Sequence, residues 1–411
     1  MAGARVWSRR DVVSVVETFT PVQRAILDQE YPHFSEEEMS RRRASVEGLM
    51  AGAEVDHLLV HATTGRGGAV GWLSQWPVTN EAQLVVSPGE ADTLFVQYFN
   101  HVPLASHIAS AARVEWGGPS TIASAIEELR RRGARPGRVG VMGPLPLAYA
   151  RALEREFGAV VDLSGDYLRQ RSVKSEEELV WFELGARMGD LAIAALQEQI
   201  EVGVTKRDLG AIVEGAYQRY GGVNAIHYFA VNSMDDPQYC VPRQHPSTRR
   251  VRAGDVITTE ITANFFDYGG QVLRTFVVDA EPNELFRALH DVASTAFDAV
   301  SRLLVPGTRA ADLVAASSVI EDRGFTTFDD LVHGYGGGYL APVLGSASRS
   351  HGEPSDVVLQ ENMMIVVQPN VVTTDHRAGV QTGECLVVTP SGPRRLHHAR
   401  QGLHLVGRRG S

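Results

Sequence analysis

The chain predicts an α/β N-terminal domain followed by an α+β C-terminal domain built from two pseudo-symmetric halves. Three observations carry that prediction. Strand-length apolar runs alternate with helical runs up to about residue 170, a long capped helix then breaks the alternation, and the remainder carries one loop–helix unit twice.

In the first part, "DHLLVHA", "AQLVVSP", "DTLFVQYF", "RVGVMG" and "AVVDLSG" are apolar runs of strand length, the second stopped by Pro88. "TIASAIEELRRRG" has helical spacing and ends on Gly133; its run Arg130, Arg131 and Arg132 reads as a solvated helix end, where cations offset the helix dipole. These elements make a domain over residues 1–172. The segment "SVKSEEELVWFELGARMGDLAIAALQEQI" then opens a long helix, with Ser175 and Glu178 at capping-box spacing. A second domain is expected over 173–400, with 401–411 as a C-terminal tail. Inside it, Gly203, Asp208 and Leu209 recur as Gly307, Asp312 and Leu313, each set leading into a helix. Two copies are too few for a solenoid and suggest two halves facing each other across a site.

At 411 residues, 44% hydrophobic and 21% charged, the chain has the composition of a globular protein with a full core. A net charge of −10 argues against a nucleic-acid partner. Cys240 and Cys385 are too few for a disulfide framework or a CxxC metal site and fit a reducing compartment. Residues 1–20 lack the apolar run of a signal peptide, and no stretch reaches the roughly 18 apolar residues of a membrane span. The expectation is a cytoplasmic protein with no membrane partner.

Four segments of the second half carry chemistry: "GDVITTEITANFFDYGGQVLRTF", "VHGYGGGY", "MMIVVQPN" and "QTGECLVVT". In order and spacing, from about Lys174 to Leu396, they resemble the metal-binding segments of the creatinase/aminopeptidase P/prolidase family, whose C-terminal domain has the "pita-bread" fold. The resemblance implies a homodimer, a site in the C-terminal domain, and hydrolysis of an amide or amidino C–N bond beside a carboxylate or imino-acid group. It also implies five metal-ligand places. Here these hold Glu260, Gln271, His333, Gln368 and Gly383, with Glu384 one place after the last. Family peptidases carry further His and Glu residues where this chain has Arg243, Leu340 and Ala341. A working aminopeptidase is therefore not expected, nor any metal or other cofactor.

Two divalent ions need several anionic oxygens, and neutral amides hold such ions weakly. Four carboxylates clustered without ions would repel one another, and amides of similar shape avoid that charge while still hydrogen bonding. The leading expectation is a metal-independent enzyme acting on a small amino-acid-like or carboxylate-bearing substrate, with C–N hydrolysis as its reaction. His333, Glu260 and Glu384 form its catalytic set, because an imidazole titrates near neutrality and a carboxylate can orient it. Arg243 is expected to hold a substrate carboxylate through its planar fork. Gln271, Gln368, His227, Tyr335 and Arg274 complete the binding set. A lyase, cyclase or isomerase would use the same residues. A non-catalytic ligand-binding protein and a mononuclear metallohydrolase on Glu260, His333 and Glu384 are the other readings. Plainer roles stand beside these: Glu260 as the ion-pair partner of Arg274 or Arg243, Gln271 and Gln368 satisfying each other, and His227 in the core. His245, His351, His397 and His398 read as loop or tail residues. Glu384 lies one residue from the ligand place, and a shift of one along a strand reverses the face.

Overall fold

The computed structural model describes residues 6–7, 19–64, 68–350, 352 and 356–407. The chain divides into two compact units, Asp28–Arg171 on one side and Met1–Leu27 with Ser172–Ser411 on the other.

In the first unit, β1 (His57–Thr63), β2 (Glu81–Val86), β3 (Thr93–Val96), β4 (Arg113–Trp116), β5 (Val139–Met142) and β6 (Val161–Asp162) form one mixed sheet in the order β4-β3-β2-β1-β5-β6. Strand side chains alternate between faces, so Leu58 and Val60 enter one apolar cluster while Leu59 enters another. Helix α1 (Glu36–Gly52) supplies Val46 and Met50 to the first cluster, and α2 (Thr121–Arg131) supplies Ile122, Ala125 and Leu129 to the second. Covering both faces with helices makes the α/β layer structure that the alternating pattern predicts.

In the second unit, α3 (Glu176–Gln199) starts at the expected capping box: the Glu178 amide donates to the Ser175 hydroxyl and the Ser175 amide to the Glu178 carboxylate. Two long strands follow α4 (Lys206–Tyr217) and β7 (Val223–Ser233): β8 (Asp255–Phe265) and β9 (Tyr268–Val278), paired along their length. Helix α5 (Glu284–Ser301) and the short α6 (Ala310–Ala316) lead to β10 (Val332–Tyr335), β11 (Tyr339–Leu344), β12 (Met364–Val367) and β13 (Gly383–Val387). Strand β9 joins the halves by pairing with β8 on one edge and with β13 on the other.

The sequence repeat is structural. The Gly203 amide bonds the Val251 carbonyl and the Gly307 amide the Leu359 carbonyl. Asp208 accepts the Thr205 amide ahead of α4, and Asp312 accepts the Arg309 amide ahead of α6. One expectation is corrected. Residue 401 does not begin a free tail, because Leu403–Val406 is a strand, β14, parallel to β9 and also to Val6–Trp7. Its Leu403 and Val406 are buried, which an unattached tail could not achieve. Among the described residues, no helix is long and apolar enough to cross a membrane.

Candidate active site

Strand register decides which side chains converge. Glu260 pairs with Leu273 across β8 and β9, and Gln271 pairs with Thr262, so Glu260 and Gln271 share a face. On the other half, His333 pairs with Val366, two residues before Gln368, which puts His333 and Gln368 on one face as well. The four side chains meet. The Gln271 amide nitrogen donates to Glu260 Oε1 at 2.7 Å and to Gln368 Oε1 at 3.0 Å, and its oxygen lies 3.1 Å from His333 Nε2. His333 Nδ1 donates to the Gly334 carbonyl at 2.9 Å. Gly334 is required there: a Cβ would lie 2.4 Å from the Ala341 carbonyl oxygen, where β10 and β11 cross closely at a bulge.

Gln271, Gln368 and His333 are buried, and Glu260 keeps 7% exposure. Among the described residues nothing bonds its second oxygen, so Glu260 is the group able to meet a ligand. Burial pushes its carboxyl up to about 8, and the charges of Asp329 and Asp330 add to the rise. Burial pulls His333 down to about 4, against the opposing effects of the Gly334 carbonyl and Asp330. Tyr339 stacks on the His333 ring at 3.9 Å, with 13° between planes, and its hydroxyl bonds Asp330. Asp329, Asp330 and Tyr339 therefore belong to the site and were missed in the sequence. The available signal was the acidic pair in "FDDLVH", directly ahead of His333.

Several expected residues lie elsewhere. Glu384 pairs with Val272 and Val367, on the opposite face from Gln271, and its carboxylate takes a bond from Arg274 Nη2 at 2.7 Å and bonds from Arg395. Burial opposes ionisation, but the two guanidinium groups hold it below the usual carboxylate range. Arg274 is fully buried and spends its donors on Glu384 and on the carbonyls of Leu273, Gly383, Ala399 and Arg400, so it is a structural clamp and not a binding residue. Gly383 itself occupies the last ligand place. A Cβ there would lie 2.3 Å from the Val367 carbonyl oxygen, so backbone fills the space of a side chain.

His227 alternates to the face of Ile261, packs over Gly210 of α4 and pairs with Glu214 at 2.9 Å, away from Glu260. Tyr335 is buried against Phe182. Arg243 is exposed and lies over the Tyr239 ring at 3.7 Å, outside the set of side chains bonded around Gln271. His397 lies in a loop, as expected, but is buried: its Nδ1 bonds Asp190 at 3.0 Å, which also accepts the His398 and Ala399 amides and ties that segment to α3. His245 is exposed in its loop, and His351 lies outside the described residues. Among the described residues, no group of three or more His, Cys, Asp or Glu is placed to hold a metal ion.

Known proteins share this scaffold. The chain is 25% identical over 271 residues to the Xaa-Pro dipeptidase of Pyrococcus horikoshii, covering 64% of this chain and 74% of that one. It is 26% identical over 209 residues to a methionine aminopeptidase of Staphylococcus epidermidis, covering 49% and 82%. Among solved structures, the X-Pro aminopeptidase of Thermotoga maritima superposes with a TM-score of 0.77 at 17% identity, covering 89% of this chain and 99% of that one. The Xaa-Pro dipeptidase of Bacillus anthracis gives 0.75 at 18%, covering 90% and 100%. These likenesses give the fold, an N-terminal domain followed by a curled-sheet pita-bread domain. The model of metallopeptidase family M24 matches residues 182–390, and the chain belongs to that family.

Proposed function

We propose that this M24 member hydrolyses a C–N bond in a small amine-bearing substrate by side-chain acid–base chemistry, without a dimetal centre. The carrying observation is the closed set Glu260–Gln271–Gln368–His333, whose polar atoms bond each other across the family's ligand places. Two divalent ions do not fit it. One carboxylate is present, the imidazole is bonded at both nitrogens, two places hold neutral amides, and backbone fills the fifth.

Glu260 would act as the acid. Its raised carboxyl is protonated at neutral pH and keeps one unbonded oxygen. A water oxygen adds to the electrophilic carbon, the Glu260 proton passes to the departing nitrogen, the C–N bond breaks, and a proton from the water restores Glu260. Asp329 and Asp330 beside Glu260 favour a cationic amine in the substrate. His333 then serves as a positioning residue for Gln271, because both its nitrogens are engaged. Assembly as a homodimer is part of the same proposal, and sedimentation would measure it.

The test is amine release from Xaa-Pro dipeptides, N-acyl amino acids and amidino acids by chelator-treated protein, for the wild type and Glu260→Gln. Turnover without metal that falls by about 10²-fold or more in the variant supports the reading. Turnover that requires added manganese, cobalt or zinc, or a fully active Glu260→Gln, overturns it. The burial of Gln271, Gln368 and His333 favours one other reading, a non-catalytic binding protein. Saturable binding of such compounds with no product would select it.

A further inference from the structure

Tyr228 stands on β7 directly opposite Glu260 on β8. Residues opposed in this way point to one face, with their Cβ atoms about 4.5–5.5 Å apart. Its strand neighbours on that face, Ile226 and Ala230, pair with Thr262 and Thr258, so Tyr228 is the polar side chain that β7 sets beside the acid. The register is held from both sides. The next residue, Phe229, pairs with Thr259 of β8, and on its other edge the Arg243 amide donates to its carbonyl at 3.0 Å.

Hydrolysis at Glu260 makes a demand that the set bonded around Gln271 does not meet. When a water oxygen bonds an amide carbon, the carbonyl electron pair moves onto its oxygen, and a preorganised donor stabilises that charge. The Gln271 amide nitrogen is spent on Glu260 and Gln368, and both His333 nitrogens are engaged. Thr258, Thr262 and the Gln368 amide nitrogen lack partners but are closed to a ligand, at 2%, 1% and 1% exposure. The Tyr339 hydroxyl bonds Asp330. Tyr228 differs from all of these. It is half-buried, and among the described residues its hydroxyl has no hydrogen-bond partner.

We infer that Tyr228 is the oxyanion donor of this site: its hydroxyl donates to the carbonyl oxygen of the scissile amide while Glu260 protonates the departing nitrogen. The inference rests on the hydrolytic role given to Glu260 and narrows the substrate. The nitrogen and oxygen of an amide lie about 2.2 Å apart. With a hydrogen bond of about 2.8 Å at each end, an acid and a donor on adjacent strands bracket that group, the longer tyrosine reaching past the carboxyl to the oxygen. Tyr228 keeps its proton, and the electron pair returns to the carbon as the C–N bond breaks. An amidinium nitrogen instead loses positive charge on addition and gains nothing from a donor, so the site favours an amide over an amidine.

The experiment assays chelator-treated wild type, Tyr228→Phe and Glu260→Gln on glycylproline. Wild type and Tyr228→Phe are also titrated calorimetrically with the phosphinic analogue of glycylproline, whose tetrahedral P–O⁻ stands in place of the scissile carbonyl. Tyr228→Phe should lower kcat by about 10²-fold with KM changed less than about twofold, at an unchanged melting temperature. It should weaken the phosphinate by about tenfold or more. An unchanged kcat, or a raised KM at unchanged kcat, overturns the inference. No metal-free turnover, or turnover that survives in Glu260→Gln, overturns the acid–base reading alone, and the phosphinate then decides on Tyr228. Equal phosphinate binding in wild type and Tyr228→Phe, or none in the wild type, removes Tyr228 as the donor.

Discussion

The Gln271 amide nitrogen lies 2.7 Å from Glu260 Oε1 while its oxygen faces His333 Nε2 at 3.1 Å, so one amide couples an acid to a base. In that arrangement both His333 nitrogens carry protons, one for Gln271 and one for Gly334, and Glu260 is a carboxylate. Moving the proton to Glu260 reverses the demands. A neutral His333 with Nδ1–H needs a donor at Nε2, which Gln271 supplies by turning its amide. With Gln368 turned as well, the Gln271 oxygen then accepts the Gln368 amide nitrogen, which otherwise lacks a partner. Both states have the same net charge, and burial favours the neutral one, with Glu260 near 8 and His333 near 4. The ¹⁵N shifts of His333 at pH 7 should therefore show a neutral ring protonated at Nδ1. An imidazolium signal would refute this.

Glu260→Gln should stabilise the fold in alkali. The unfolded carboxyl titrates near 4.5 and the folded one near 8, so between these values the folded chain holds a proton that the unfolded chain has lost. This contribution falls as pH rises through that window, by at most about 1.4 kcal/mol per unit. His333 slopes the other way, from about 4 to 6.5, and its contribution is complete above 6.5. Urea unfolding at pH 5, 7 and 9 should show the variant gaining on the wild type at each step. A constant difference would mean that Glu260 is not neutral in the folded protein.

The fold was legible because its signals are local or periodic: the capping box at Ser175, the repeated glycine–Asp–Leu units and the alternating apolar runs. The convergence of Glu260, Gln271, His333 and Gln368 was legible through the family spacing. What stayed hidden depended on register. A one-residue step separates Gly383 from Glu384, and only the pairing of Val272 with Glu384 shows that the carboxylate faces away. Asp330 and Tyr339 reach the site because β10 and β11 fold back on each other, which no spacing along the chain records. The burial of His397 in its loop stayed hidden because its partner, Asp190, lies more than two hundred residues earlier in the sequence.

Asp330→Asn should lower the Glu260 carboxyl, because the Asp330 charge helps to hold it up. In the proposed mechanism, the loss of activity at high pH reports deprotonation of that acid. Its midpoint should move to lower pH in the variant, while Tyr339→Phe, which leaves Asp330 charged, should move it less. A midpoint unchanged by Asp330→Asn would separate that limb from Glu260.

Glu384→Gln tests the reassignment of a residue expected to be catalytic. Its carboxylate and Arg274 are both fully buried, and removing one charge strands the other at a cost of about 3–5 kcal/mol. Arg395, bonded to the same carboxylate, loses its partner too. The variant should melt well below the wild type, yet its folded fraction should retain wild-type turnover per active chain. Loss of turnover at unchanged stability would return Glu384 to the catalytic set.

Restoring family-like ligands separates chemistry from space. Gln271→Asp with Gln368→Glu would set three carboxylates and His333 around one point, on side chains that already meet there. Calorimetry with manganese should detect binding in this double variant and none in the wild type. Adding Gly383→Glu should not strengthen it. The new Cβ would lie 2.3 Å from the Val367 carbonyl oxygen and 2.8 Å from Gln368 Cα, so β12 and β13 would have to part. Such overpacking costs about 1–3 kcal/mol or more, and it falls where the carboxylate introduced by Gln368→Glu must point. The triple variant should therefore melt lower and bind manganese more weakly than the double. Tighter binding in the triple variant would show that the backbone can yield at Gly383 and that the fifth ligand place is still available.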